Sequence, residues 1–235
     1  MTRRRGDYGV DAPYVPGVFA AVGLVGVVLG IVLGDWGFLV PGVLFLGFAA
    51  SYLYTTRRGK FAVWSDVLDG LDLRGDERLL DVGCGRGAVL LLAAERLPTG
   101  RAVGVDLWRS ADQSGNAEEA TRANAEAEGV ADRIELHTGD MTSLPFADGE
   151  FSVVVSSLAV HNIPSADGRQ AAMDEIVRVL APGGRLAVAD FRHTGDYAAR
   201  LTERGLAPQR RGMGWRFWYG GPWAGTSLVT ATRPG

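Results

Sequence analysis

At 235 residues the chain has room for one or two domains, and its lone cysteine, Cys84, excludes an internal disulfide. The net charge of −3 is unevenly spread, since residues 1–60 hold six basic residues against three acidic ones and leave the remainder acidic. An acidic body argues against nucleic acid as the partner, because phosphate binding needs clustered Lys and Arg.

Arg3, Arg4 and Arg5 open the chain, and two uncharged runs of nineteen residues come next, Val15 to Leu33 and Trp36 to Tyr54. A helix of ~20 apolar residues crosses the ~30 Å hydrocarbon layer, and buried strands stop at roughly 4–8 residues, so length favours two spanning helices. Between them lies LGDWGF, whose Gly34-Asp35 pair reads as a tight turn exposed at one face of the bilayer. Pro16 sits early in the first run, where proline costs little, and Pro41 either kinks the second or marks a later start. Arg57, Arg58 and Lys60 come after the second run. The rule that Lys and Arg stay cytoplasmic puts both chain ends and the C-terminal body inside, as a multi-pass protein of the cell membrane. Trp36, Tyr52 and Tyr54 stand where interfacial aromatics are expected. Gly26, Gly30 and Gly34 recur at every fourth residue, a smooth stripe against which the second helix can close. A secretory signal would have a shorter core and no second span, and a buried soluble hairpin is the other competing reading. The boundary falls at TTRRGK, giving a membrane hairpin over 1–60 and a second domain over 61–235.

From Phe61 short apolar strands alternate with helical patterns, which predicts a mostly parallel sheet with helices on both faces. FAVWSDVLDGL reads as a leading helix, and ERLLDVG, RAVGVDLW, DRIELHTGD, FSVVVSSLAV and GRLAVADF as strands. AVLLLAAERL, EEATRANAEAEG, GRQAAMDEIVRVL and YAARLTERG read as the helices between and after them. The tail, QRRGMGWRFWYG then TSLVTATRP, reads as two strands joined by a glycine-rich turn. Ligands of such sheets bind beyond the carboxyl ends of the strands.

DVGCGRG ends the first strand with Asp81 and then sets Gly83, Gly85 and Gly87 at alternate positions before a helix. Glycines allow a sharp turn and close approach of a ligand to the backbone, and the helix start offers free N–H groups to an anion. Gly83, Gly85 and Ala88 also match the looser dinucleotide pattern, so these glycines alone leave the cofactor open. Asp106 ends the second strand about 20 residues on, where a carboxylate can accept from ribose hydroxyls. Gly139-Asp140-Met141 ends the third, where a carboxylate can take an exocyclic amine.

LLDVGCGRG, VGVDL, HTGDM, FSVVVSSLAVHNI and LAPGGRL together resemble the successive motifs of class I S-adenosylmethionine-dependent methyltransferases, over residues 61–235. The resemblance implies a Rossmann-like sheet of seven strands with the last antiparallel. It implies that Asp81, Gly83, Cys84, Gly85 and Gly87 hold the methionine part of S-adenosylmethionine. Asp106 with Leu107 would hold the ribose, and Asp140 with Met141 the adenine. Ser156 and Ser157 would line the cleft, and Pro182-Gly183-Gly184 would turn into the fifth strand. Ser152 departs from the family, which often has an aspartate there.

Methyl transfer from a sulfonium needs no metal, and no metal-ligand spacing appears among three scattered histidines and one cysteine. His161, just after the fourth strand with Asn162 beside it, is the candidate general base; His137 reads as structural and His193 as a weaker candidate. No Asn-Pro-Pro-aromatic run or Lys-Asp-Lys-Glu set appears, which disfavours amide, adenine or ribose methylation. RHTGD is too short for a lid, so the leading helix, the tail with Trp215, Trp218 and Trp223, or the membrane must close the site. A hairpin beside such a domain points to a small hydrophobic acceptor such as a quinone, lipid, apolar phenol or thiol, or else to a simple tether. Two rivals remain: a membrane module that binds S-adenosylmethionine without turnover, and an NAD-dependent oxidoreductase sharing the glycine loop and Asp106.

Overall fold

The computed structural model describes residues 4–109 and 113–235, so Arg3 lies outside the described residues. Helices α1 (Tyr14–Leu33) and α2 (Trp36–Tyr54) form an antiparallel hairpin, both long and apolar enough to cross a membrane. The turn between them consists of two caps. Gly34 takes the left-handed conformation that ends α1, and Asp35 accepts a 2.7 Å hydrogen bond from the Gly37 N–H to start α2. The helices meet through Gly23, Gly26, Gly30 and Gly42. A Cβ on Gly42 would stand 2.5 Å from the Val27 nitrogen, and one on Gly30 2.6 Å from the Leu39 Cα. Gly34 is not part of that stripe, since nothing lies within 4 Å of its missing side chain. Pro41 lies inside α2 near its start.

The hairpin runs into the next helix without a break. A single π-helical turn, Thr55–Gly59, joins α2 to α3 (Lys60–Asp69), the leading helix. The widened turn has a local cause. A Cβ on Gly59 would meet the Arg216 carbonyl at 1.9 Å, and the Thr55 hydroxyl donates to the Trp218 carbonyl at 2.7 Å. The backbone of the tail therefore presses directly on the helix, a common setting for such a turn.

The body is a seven-stranded sheet of order β3-β2-β1-β4-β5-β7-β6. Its strands are β1 (Arg78–Val82), β2 (Arg101–Asp106), β3 (Ile134–Thr138), β4 (Phe151–Ser157), β5 (Leu180–Asp190), β6 (Gln209–Gly212) and β7 (Ser227–Thr232). The first five are parallel, and β7 runs antiparallel to both neighbours. Period-two alternation splits each central strand between two cores. Leu79, Val153 and Val155 face the side of α3 and α4 (Ala88–Ala94). Leu80, Val82 and Val154 face the side of α6 (Ala166–Val179) and α7 (Thr194–Glu203). Each of these residues is fully buried and worth ~1.5–3 kcal/mol in transfer free energy. Helix α5 (Glu118–Glu128) comes after β2. The chain reverses order between β1 and β4, so the crevice opens at their carboxyl ends.

The tail differs from the expected hairpin of strands. Only Gln209–Gly212 pairs with β7; Met213 to Thr226 forms two 3-10 turns and irregular chain. Gly214 and Gly220 take positive φ there, which a regular strand does not accommodate.

Candidate active site

Beyond the carboxyl ends of β1, β2 and β4 lies a cavity of about 760 Å³. Its floor is the glycine loop. Gly83, Gly85 and Gly87 all have positive φ, and a Cβ on Gly83 would stand 2.2 Å from that of Ala159. The Gly83 and Cys84 N–H groups both donate to the Val105 carbonyl, at 2.8 and 3.2 Å, tying the loop to β2.

Asp81 sits beneath this loop, 1% exposed, with neither carboxylate oxygen hydrogen bonded. Burial, and then the charge of Asp106, push its pKa up to about 8. The Leu90 N–H of α4 opposes that rise without reaching hydrogen-bond geometry, so the buried carboxyl faces the cavity with room for a cationic donor. Asp106 is differently placed: Oδ2 accepts from the Gly85 N–H at 2.8 Å, and Oδ1 from the Trp108 N–H at 2.6 Å and the Asn116 amide at 3.3 Å. It organises the loop as well as facing the cavity, with lone pairs left for a further donor. Asp140 uses only Oδ1 in bonds to the N–H and hydroxyl of Thr142, both 2.8 Å.

Asp81, Gly83, Cys84, Gly85, Asp106, Leu107, Asp140, Met141 and His161 all line the cavity. Two expected residues do not. Gly87 caps α4 behind the loop, against Thr121. Ser156 points to the opposite face of β4, where its buried hydroxyl donates to the Val82 carbonyl at 2.7 Å; alternation leaves Ser157 as the serine on the cavity. Ser157 accepts from the Trp64 indole at 2.8 Å, which fixes α3 over the cleft. The Cys84 thiol is buried and pushed well up by burial and then by Asp81 and Asp106, so it stays protonated.

His161 lies across the cavity. Its Nδ1 is 2.8 Å from Asp190 Oδ1, though not aligned as a hydrogen bond, and its ring packs on Phe191 at 4.4 Å. Asp190 is fully buried and held by the N–H groups of His161 and Phe191 and by the Tyr197 hydroxyl. His137 is in β3 against Phe146, and His193 starts α7 beside Asp196; neither lines the cavity.

The roof comes from a segment that carries no recognisable motif. Residues 4–13, ahead of α1, lie across α5 and the glycine loop. Arg4 pairs with Glu95, and Tyr8 donates to Glu128 at 3.0 Å. The Asp7 N–H donates to Asn124 at 2.8 Å, and the Val10 N–H to Ser114 at 3.0 Å. Asp11 is the hub. Its carboxylate accepts from Lys60 (3.1 Å), Thr56 (2.8 Å), Gln113 (2.9 Å) and Tyr219 (2.9 Å), and its carbonyl from Tyr52 (2.8 Å). Burial raises its pKa, but Lys60 and the donated hydrogen bonds outweigh that and hold it below the usual carboxylate range. Gln113 carries the link inward, since its Oε1 accepts from the Arg86 N–H of the glycine loop at 3.0 Å. Tyr14, Val15, Tyr52, Trp64, Tyr219 and Ala224 complete the cavity wall, so the base of the hairpin, the leading helix and the tail all contribute. The only sequence signal for this roof is a polar stretch, GDYGVDAPY, ahead of an apolar run.

Residues 80–188 match the family of methyltransferase domains. A ubiquinone/menaquinone biosynthesis C-methyltransferase of Dinoroseobacter shibae is 38% identical over 134 residues, 57% of this chain and 50% of that protein. The chain thus spans about half the length of the curated relatives it matches. Among solved structures, the [4+2]-cyclase SpnF aligns with a TM-score of 0.61 at 21% identity, over 76% of this chain and 83% of that one. A geranyl diphosphate C-methyltransferase from Streptomyces coelicolor, in complex with Mg2+, geranyl diphosphate and S-adenosyl-L-homocysteine, aligns at 0.58 and 18%, over 73% and 79%. These structural likenesses establish the fold, which here serves a cyclase as well as methyltransferases. The family match thus spans the stretch from β1 into β5, which holds the glycine loop, Asp106 and Asp140-Met141.

Proposed function

We propose that the chain is a membrane-anchored methyltransferase that moves a methyl group from S-adenosylmethionine to a small hydrophobic acceptor reaching the site from the bilayer. One observation carries the reading. The same cavity is walled on one side by Asp81, the glycine loop, Asp106 and Asp140-Met141, and on the other by Tyr14 and Val15 of α1 and Tyr52 of α2. A site for a polar cofactor is thus continuous with the base of an apolar hairpin. The relative named for ubiquinone and menaquinone biosynthesis adds weight, because quinones are bilayer-soluble.

The residues present fit the cofactor. The buried, unbonded Asp81 carboxyl would hold its ammonium, the glycine loop would admit its methionine part, Asp106 would hold the ribose, and Asp140-Met141 the adenine. When bound, S-adenosylmethionine supplies a methyl already activated on a sulfonium, so the chain's task is alignment. His161 is the base for an acceptor that must lose a proton. With Nδ1 turned to Asp190, Nε2 is the nitrogen left to take that proton, and Asp190 stabilises the imidazolium that forms. Trp64, Tyr219 and the arm bearing Asp11 form a roof that would keep water from the reacting atoms.

The test is transfer of labelled methyl from S-adenosylmethionine by full-length protein in its own membranes, with Asp106→Ala as the blank. Label in the organic-soluble fraction, absent from the blank, is the expected result. Label confined to the aqueous or protein fraction would reduce the hairpin to a tether. Binding without transfer would leave a sensor.

A further inference from the structure

We infer that the tail segment Trp215–Ala224, with Arg57 and Arg58 beside it, is a docking surface for the headgroup layer of an anionic bilayer, seating the cavity mouth against the membrane. This rests on the reading of α1 and α2 as spans.

Helix length requires such a contact. At 1.5 Å per residue α2 is ~28 Å long, barely the ~30 Å of a hydrocarbon layer. The tail packs well up that length. Trp223 meets Phe48 edge-on at 4.6 Å, and Gly220 lies against Phe19 of α1. Phe48 is about 9 Å above the end of α2 at Tyr54, and Phe19 about 7.5 Å above the start of α1. A tail kept in bulk water would leave only residues 36–47, ~18 Å of α2, to span the layer. The hairpin cannot be inserted to its full length unless residues 215–224 enter the interfacial zone.

The side chains match that zone. Trp215 and Trp223 are 62% and 65% exposed, and Tyr54 stacks on Trp215 at 5.5 Å. Indole and phenol rings at the end of a span are the usual interfacial anchors. One turn further out, Arg57 and Arg58 are exposed and have no ion pair or hydrogen bond among the described residues, in a chain where most other arginines are paired. Cations at that height face lipid phosphates, and anionic lipid strengthens the contact. Ala224 of this segment lines the cavity together with Tyr14 and Val15. An acceptor leaving the bilayer at this point enters the site without crossing water.

The experiment uses full-length protein in vesicles of phosphatidylglycerol and a phosphatidylcholine brominated near the glycerol end of its acyl chains, with tryptophan emission as readout. Bromine quenches only rings at its own depth. The expected result is that Trp215→Phe and Trp223→Phe each lower the fraction of emission that bromine quenches, as Trp36→Phe does at the far end of the hairpin. Omitting phosphatidylglycerol should weaken quenching of the tail in wild type but not in Arg57→Ala/Arg58→Ala. A quenched fraction that is unchanged or higher in Trp215→Phe and Trp223→Phe, with a fall in Trp36→Phe, overturns the docking while the spans stand. No quenching of Trp36 either removes the spans, and the docking with them.

Discussion

Asp81→Asn is the sharpest perturbation of the site. In the ligand-free protein the Asp81 carboxyl is 1% exposed and unbonded, with its pKa pushed up to about 8 from the ordinary 3.8. Because the folded pKa lies above the unfolded one, the protein binds an extra proton when folded. The stability this contributes is full below 3.8 and is lost as pH rises through about 8. At ~1.36 kcal/mol per unit, the loss reaches on the order of 4 kcal/mol at neutral pH and on the order of 6 kcal/mol above pH 8. The amide cannot ionise, so ligand-free Asp81→Asn should be increasingly more stable than wild type as pH rises. At roughly 2–4 °C per kcal/mol for a domain of this size, the gap in Tm between about pH 6 and pH 9 should widen by some 5–10 °C. On the proposed reading the cofactor would reverse the balance, because its ammonium would favour the ionised carboxylate and binding near pH 7 would expel the proton. Calorimetric titration in two buffers of different ionisation enthalpy should therefore show nearly one proton released per cofactor in wild type and none in Asp81→Asn. Affinity should fall by roughly 10- to 100-fold, the worth of one charged hydrogen bond. Parallel Tm curves across this pH range, or binding without proton release, would refute a neutral Asp81 waiting for a cation.

Gly83→Ala places a Cβ 2.2 Å from Ala159 at a φ of +76°; a loss of ~2–5 kcal/mol by chemical denaturation is expected, along with loss of cofactor binding. Asp11→Ala strands the buried Lys60 ammonium and should cost ~3–5 kcal/mol at neutral pH, read by thermal unfolding in detergent. Its pH dependence comes from the lowered pKa. The Asp11 contribution is present above the unfolded value of 3.8 and lost as pH falls through the folded one, so mutant and wild type should converge in acid. His161→Ala should lower kcat by roughly 10²–10⁴-fold with little change in KM. Because Asp190 acts through His161, Asp190→Asn should cost little more once His161 is gone, and full additivity in the double variant would separate the two.

Much of the fold was legible because its signals are local. Two uncharged nineteen-residue runs around Gly34-Asp35 specify two helices and the turn between them, and apolar segments punctuated by glycine specify five parallel strands in order. The positive-φ turn of DVGCGRG is likewise written in residues that tolerate little else. The choice between Ser156 and Ser157 was not legible, because it turns on the register of β4 against β1, a one-residue matter that reverses the face. Nor was the irregular course of residues 213–226, whose geometry answers to Phe19, Phe48 and Gly59 far away in the chain.

The sequence by itself determined which stretches are apolar helix, strand or glycine turn, since each depends on the period and backbone freedom of neighbouring residues. Only the tertiary structure decided that residues 4–13 roof the cavity, that Asp11 gathers Lys60, Thr56, Gln113 and Tyr219, and that Asp190 stands behind His161. Those groupings join residues as much as 208 positions apart. Their reason is burial, for a carboxylate taken out of water must find donors wherever the folded chain brings them.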